Sequence, residues 1–319
     1  MGHYLVTGGC GFIGSALCHR LIDLGHRVTV IDDLSSGHLA NLPAQGVDLI
    51  QGAITDASLL TDVFKKYFDG CFHFAAIASV RQYDVTPHLC HKINYQASTC
   101  LFELAAQASI PVVFASSAAV YGDCTEIVDE TTPCHPINQY GKDKLACERI
   151  AFELASRYET AFTCLRFFNV YGPKQNPHSP YSGVISKFIK QLSQKQPIEI
   201  FGTGEQGRDF IYVQDVVHAC MKTMEWNKKN FTIFNVCTGA MTTINQLANK
   251  IATLLNQPML IKYHKKNAQD IFLSLGNSDK IKNDIEWTPQ YQLNQGLKES
   301  INMMTLTKKS APIFEANTF

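Results

Sequence analysis

The chain of 319 residues has no net charge, with 28 Lys and Arg against 28 Asp and Glu. Nucleic acid and anionic membrane surfaces both select a basic excess, so neither is expected as a partner. No run approaches the ~18 uninterrupted apolar residues of a membrane-spanning helix. None of the 11 cysteines falls in a C-x-x-C pair or near a His pair at zinc-finger spacing, so no metal is expected. Their odd number, and the apolar segments around Cys18, Cys71, Cys100 and Cys164, read instead as reduced core residues. The opening Met1-Gly2-His3-Tyr4-Leu5 lacks a basic n-region, and a cytoplasmic location is the expectation. Internal repeats and low-complexity stretches are missing too.

What is present is a large core-forming chain, 45% apolar and 18% charged. Short β-branched runs predict strands at Tyr4–Thr7, Arg27–Asp32, Asp48–Gln51, Gly70–Phe74, Val112–Ser116 and Phe162–Phe167. Amphipathic helical segments lie between them, among them Phe12–Leu24, Pro87–Ala108 and Asn138–Arg157. Strand and helix in alternation predict an α/β fold, a doubly wound parallel sheet of Rossmann type. After Gly172 the chain is broken by Pro173, Pro177, Pro180 and Pro197. A boundary near 170 divides the strand–helix part (1–170) from a smaller mixed α/β part (171–303), with a frayed tail at 304–319.

The first strand runs into Thr7-Gly8-Gly9-Cys10-Gly11-Phe12-Ile13-Gly14. Glycines here permit a tight turn and a close approach of backbone to a pyrophosphate. The following helix turns unpaired N–H groups and its positive dipole end to the phosphates. Asp32 ends the second strand, eighteen residues past Gly14, where a carboxylate accepts hydrogen bonds from both ribose hydroxyls. It would repel a 2′-phosphate, so NAD is expected rather than NADP.

Tyr140 and Lys144, four apart, share one helix face. A phenol of pKa ~10 is a poor base at neutral pH; lowering it to ~7 takes about 4 kcal/mol of differential stabilisation. A neighbouring ammonium and a cationic nicotinamide ring would together provide that. Ser116-Ser117-Ala118-Ala119-Val120-Tyr121-Gly122 follows a buried strand at the carboxyl edge, where open α/β sheets place ligands.

The segments TGGCGFIGS, HFAA, SSAAVYG, YGKDK and RFFNVYG, with Asp32, resemble the extended short-chain dehydrogenase/reductase superfamily. Within it the chain resembles the NAD-dependent nucleotide-sugar epimerases, above all the UDP-glucose and UDP-N-acetylglucosamine 4-epimerases. The resemblance implies that Tyr140 is the base at the sugar 4-OH, that Lys144 lowers its pKa, and that Ser117 polarises the 4-oxygen. It implies an NAD site at Gly8, Gly11, Phe12, Ile13, Gly14, Asp32, Asp33, Ser36 and Gly37. Ala53, Ile54, Phe74, Ala75, Ala76, Ala78, Asn94, Tyr140, Lys144 and Phe168 would complete it. The UDP-sugar is implied to meet Ser79, Ser117, Ala118, Val184, Asn169 and Arg208 (the last two at the diphosphate), Phe201 on uracil, and Asp270 at the uridine ribose. Ser274 falls where the pocket wall faces the sugar's C2, and its small size implies tolerance of an N-acetyl group. A homodimer is expected by the same resemblance.

Related dehydratases and decarboxylases carry an acid where this chain has Ala118 and Ala119. Elimination needs a proton donor and a base at C6 and C5, whereas 4-epimerisation needs neither. A UDP-hexose 4-epimerase is therefore the leading reading. A UDP-glucuronate 4-epimerase, a nucleotide-sugar oxidoreductase or dehydratase, and a non-catalytic dinucleotide-sensing scaffold are the alternatives. Three positions depart from the family pattern. Ala53 replaces an aspartate expected at the adenine, with Asp56 as the compensating candidate. Asn267 stands where an arginine often meets the phosphates, with Lys265 or Lys266 as substitutes. Cys10 sits within the glycine turn.

Overall fold

The computed structural model describes residues 1–175, 183–226, 230–265 and 271–309. Seven strands form one parallel sheet: β1 (His3–Thr7), β2 (Arg27–Asp32), β3 (Val47–Gln51), β4 (Gly70–His73), β5 (Val112–Ser117), β6 (Phe162–Phe167) and a last strand, Phe231–Val236. Their order runs from the last strand through β6, β5, β4 and β1 to β2 and β3. The direction of winding reverses between β1 and β4. Crossovers on either side leave a crevice there at the carboxyl ends of the strands.

Alternate side chains of each strand feed opposite cores, as period-two geometry dictates. Leu5, Ile31, Val112, Phe114, Phe162 and Cys164 pack beneath α2 (Ala57–Val63), α5 (Ser98–Gln107) and α6 (Gln139–Tyr158). Val6, Val28, Val30, Val113, Leu165 and Phe234 pack beneath α1 (Phe12–Asp23) and α8 (Val213–Trp226). All eleven cysteines are free and eight are buried.

The segment expected as one helix over Pro87–Ala108 is instead three pieces. After α3 (Val80–Val85) come α4 (Pro87–His91), a wider π turn over Lys92–Ala97, and α5. The wider turn is where Asn94 points inward and grips the backbone of Ile77.

The smaller part has β7 (Asn169–Tyr171), β9 (Gly207–Tyr212), β11 (Met241–Thr243) and β13 (Leu273–Ser274) in one sheet. β8 (Ile198–Phe201) pairs with β12 (Ile261–His264), and the remaining strand, β10, is the seventh strand of the main sheet. α7 (Val184–Ser193), α9 (Ile244–Leu255) and α11 (Leu293–Lys309) surround the smaller part's own core of Phe188, Ile198, Phe210 and Leu247. α10 (Asp279–Ile285) closes the α8 side of the main sheet through Ile281 and Ile285. Two features depart from the expected division. Strand β10 lies beyond 170 but pairs along β6, and α11 continues to Lys309, past the expected start of the tail. Among the described residues no helix is long and apolar enough to cross a membrane.

Candidate active site

The glycine turn joins β1 to α1 at the reversal point. Gly8 has φ +70°, and a Cβ there would meet the backbone of Ala75 at 2.7 Å. Gly14 packs directly on Gly8, leaving no room for a Cβ. Gly11 caps α1 without any side-chain acceptor, so the first N–H groups of the helix stay open to an anion. Asp32 is buried; its carboxylate accepts from the Cys10 and Leu34 amides, each at 2.9 Å. It thus ties the glycine turn to the end of β2. Gly37 closes on Cys10. Burial, with Asp32 second, pushes the Cys10 thiol up to about 11, so it is a neutral filler.

The other expected cofactor residues distribute unevenly. Phe12 and Ile13 are partly buried at the start of α1, and Phe74, Ala75 and Ala76 follow β4 across the crevice. Ile54 is buried, and Asp33, Ser36 and Ala78 are exposed. Asn94 is fully buried, with its amide spent on Ile77 and Tyr83; it braces the crevice wall from behind. Phe168 is buried against Val120 and Tyr121 while still lining the neighbouring cavity. Asp56, the candidate to replace an acid at Ala53, caps α2 through the amides of Ser58 and Leu59.

Beside the crevice Ser117 ends β5, and Tyr140 and Lys144 rise from the first turns of α6. Asn138 starts that helix by accepting from the Gly141 amide at 2.9 Å. The Ser117 hydroxyl neighbours the Tyr140 phenol and favours its ionised form, while its oxygen accepts from the Ala119 amide at 3.1 Å. Lys144 is buried; its Nζ donates to the Ala115 carbonyl at 2.7 Å and sits 4.5 Å from the Phe114 ring and 5.8 Å from the Tyr140 ring. Burial pushes the Tyr140 phenol up to about 12, only partly offset by Ser117. Burial also lowers Lys144 to about 8, against the pull of Cys147, Cys164, Glu148 and Asp143. The ammonium and the nicotinamide ring are expected to lower the phenol together; in the protein by itself burial outweighs the Ser117 contact, and the site holds a neutral phenol next to a lysine whose own pKa is lowered.

Ser117, Asn138 and Tyr140 line a cavity of about 840 Å³; Ala118, Asn169, Arg208 and Ser274 line it too. Asp84 on α3 is the one carboxylate among its described lining residues. Asn169 donates to the Asp209 carbonyl at 2.9 Å. Arg208 reaches the carbonyls of Ile271 and Phe272 and lines both this cavity and a second recess of about 270 Å³. Parallel pairing of β13 with β9 sets Ser274 opposite Arg208 in register. Val184 and Phe201 line the second recess. Phe201 is 38% exposed, and its ring stacks on His264 at 5.1 Å. Ser79 is buried and caps α3 through the Gln82 amide. Asp270, Asn267 and Lys266 lie outside the described residues, while Lys265 is exposed.

Gln206 was not singled out from the sequence. It is buried, donates to the Phe201 carbonyl at 2.5 Å, lines the second recess, and leaves its Oε1 with no partner. Among the described residues no cluster of His, Cys, Asp and Glu could hold a metal ion.

The chain belongs to the NAD dependent epimerase/dehydratase family, whose model matches residues 4–237. NAD is the cofactor of that family, and the glycine cradle, the open helix start and Asp32 fit it. UDP-glucose 4-epimerase of Mycolicibacterium smegmatis is 31% identical over 93% of this chain and 96% of its own length. The structure of Thermotoga maritima UDP-glucose 4-epimerase with UDP-glucose superposes with a TM-score of 0.92 at 33% identity, over 96% of this chain and 99% of that one. UDP-N-acetylglucosamine 4-epimerase from Methanobrevibacter ruminantium, in complex with UDP-N-acetylmuramic acid, gives 0.90 at 34% identity, over 96% and 99%.

Proposed function

We propose that the chain is a UDP-hexose 4-epimerase that works through a transient 4-keto sugar and admits N-acetylated hexoses. The observation that carries this reading is that Ser117 and Tyr140 line a cavity whose adjoining positions are Ala118 and Ala119, with Lys144 buried beside the Tyr140 ring. No acid follows the serine, so the proton donor that elimination requires is missing beside it. NAD, when bound, supplies the hydride acceptor and donor and a positively charged ring. The chain's own residues manage the proton and the pose. Tyr140 takes the 4-OH proton once opposing positive charge offsets the burial that holds it at about 12. Ser117 bonds the same oxygen and fixes the phenol. Lys144, pinned by the Ala115 carbonyl, supplies a cation that does not wander.

Arg208 and Asn169 hold the diphosphate, the guanidinium by charge-assisted bonds. Phe201 stacks on the base, and the free Oε1 of Gln206 accepts from uracil N3–H. Ser274 leaves space beside C2 for an acetamido group. The active form is a homodimer through α5 and α6; exposed Phe152 supports this, and sedimentation as a monomer would remove it.

The deciding experiment incubates the purified protein with UDP-GlcNAc, no NAD added, and follows the anomeric protons by NMR. Growth of a UDP-GalNAc signal to a stable mixture is expected. A spectrum that changes only with UDP-glucose or only with UDP-glucuronate would reassign the sugar. A spectrum that changes with none, even with NAD supplied, would end the epimerase reading.

A further inference from the structure

We propose that Asp143 is a positioning residue for the reaction: it ties the helix carrying Tyr140 and Lys144 to the α3 wall of the sugar cavity and sets a buried carboxylate one residue from Lys144.

Asp143 lies three residues after Tyr140 and one before Lys144, and it is 2% exposed. A carboxylate so buried is tolerated only where its lone pairs are filled. Here three donors fill them. Tyr83 donates its hydroxyl to Oδ2 at 2.7 Å, and His91 Nδ1 and Gln139 Nε2 meet Oδ1 at 3.0 and 2.8 Å. The donors come from α3, from α4 and from the first residue of α6, so one side chain clamps three elements.

The Tyr83 arm leads to the substrate. Its ring stands edge-on to Tyr140 at 6.4 Å. Its hydroxyl accepts from Asn94 at 2.8 Å, and Asn94 grips both the N–H and the carbonyl of Ile77. An unbroken chain of bonds thus runs from the crevice loop at Ile77 through Asn94 and Tyr83 to Asp143. The same α3 presents Val80, Arg81, Asp84 and Val85 to the cavity.

The charge matters as well as the clamp. Around Lys144 stand Tyr140, Asp143, Cys147 and Glu148 from α6, Cys164 from β6, His73 from β4, and the Phe114 ring from β5. Glu148 is already engaged by Arg166 through two bonds of 3.0 and 2.7 Å. Of the three donors to Asp143, Tyr83 and Gln139 are neutral, and His91 at 3.0 Å offsets its charge only when protonated. Burial brings Lys144 down to about 8, and Asp143 is among the groups that oppose it. Losing that negative charge lowers the lysine further. The ammonium is present only below its own pKa, so activity on the alkaline side must fall away at lower pH.

This inference rests on the proposed roles of Tyr140 and Lys144, and the test separates the two. The pH profile of kcat/KM is measured on the NAD-loaded enzyme for the native protein, Tyr140→Phe, Asp143→Asn and Tyr83→Phe. Asp143→Asn is expected to move the alkaline limb toward lower pH by roughly half a unit or more, with bound NAD retained. Tyr83→Phe is expected to raise KM about fivefold while leaving the limb in place, because the tie is lost and the charge is kept. A role in folding alone would lower activity equally at every pH. An unmoved limb in a folded Asp143→Asn enzyme overturns the inference. If that variant does not fold, Tyr83→Phe decides, and an unchanged KM overturns it. An active Tyr140→Phe enzyme would overturn the underlying roles instead.

Discussion

The Gln206 side chain donates to the Phe201 carbonyl at 2.5 Å and leaves its own Oε1 buried without a partner in the recess that Phe201 lines. A buried acceptor left empty costs about 1–3 kcal/mol, and the proposed contact of this oxygen with uracil N3–H would remove that cost. The Phe201 bond also fixes which end of the amide faces the recess, since the carbonyl can only be met by N–H.

Gln206→Leu should therefore weaken UDP-sugar binding. KM is expected to rise about tenfold with kcat nearly kept, because the lost contact is remote from the reacting carbon and equal in ground and transition states. A KM within twofold of the native value would show that the oxygen does not meet the base.

Tyr140→Phe removes the proton acceptor and keeps the ring. Turnover should drop by at least about a thousandfold, while far-UV dichroism and bound NAD stay unchanged. Retention of a tenth of the activity would transfer the base role elsewhere.

Ser274→Tyr should close the space beside C2. Specificity constants for UDP-GlcNAc are expected to fall much further than those for UDP-glucose, measured side by side. Equal losses would place the sugar elsewhere in the cavity.

Acid should destabilise the fold through His73. This imidazole is buried between Thr7 and Ser98, and burial followed by Lys144 holds its pKa down at about 3. Between the unfolded value near 6.5 and that figure, the unfolded chain binds the extra proton. Stability is fully present above that window and falls as pH drops through it, by up to about 1.4 kcal/mol per unit. His73→Gln should flatten the slope in chemical denaturation series from pH 7 to 4. An identical slope would assign acid sensitivity to other groups.

Much of this was legible in the chain because it is local. The runs at Arg27–Asp32 and Phe162–Phe167 are strands with those very ends. The glycine turn declares itself by backbone constraints that only glycine meets. What stayed hidden depends on partners far away in sequence. Asp143 carries no mark of its own within YGKDK until Tyr83 and His91 fold over it. Gln206 carries no signal in its type; burial with one amide end unspent is what marks it. The break at Lys92–Ala97 follows from Asn94 turning inward to Ile77, which helical periodicity does not record. The phenol's upward shift comes from desolvation, a property of the assembled site.

The seventh strand makes the two halves of the chain inseparable. Without residues 231–236, β6 would become the rim of the sheet, with the unpaired amides and carbonyls of Phe162–Phe167 facing water. A fragment ending near residue 175 would carry the whole glycine turn and the tyrosine–lysine helix, yet it would expose a template for strand addition by its neighbours. Such a fragment should gather into aggregates rather than persist as a free nucleotide-binding module. Any fusion or split of this protein has to keep that last strand with the first six.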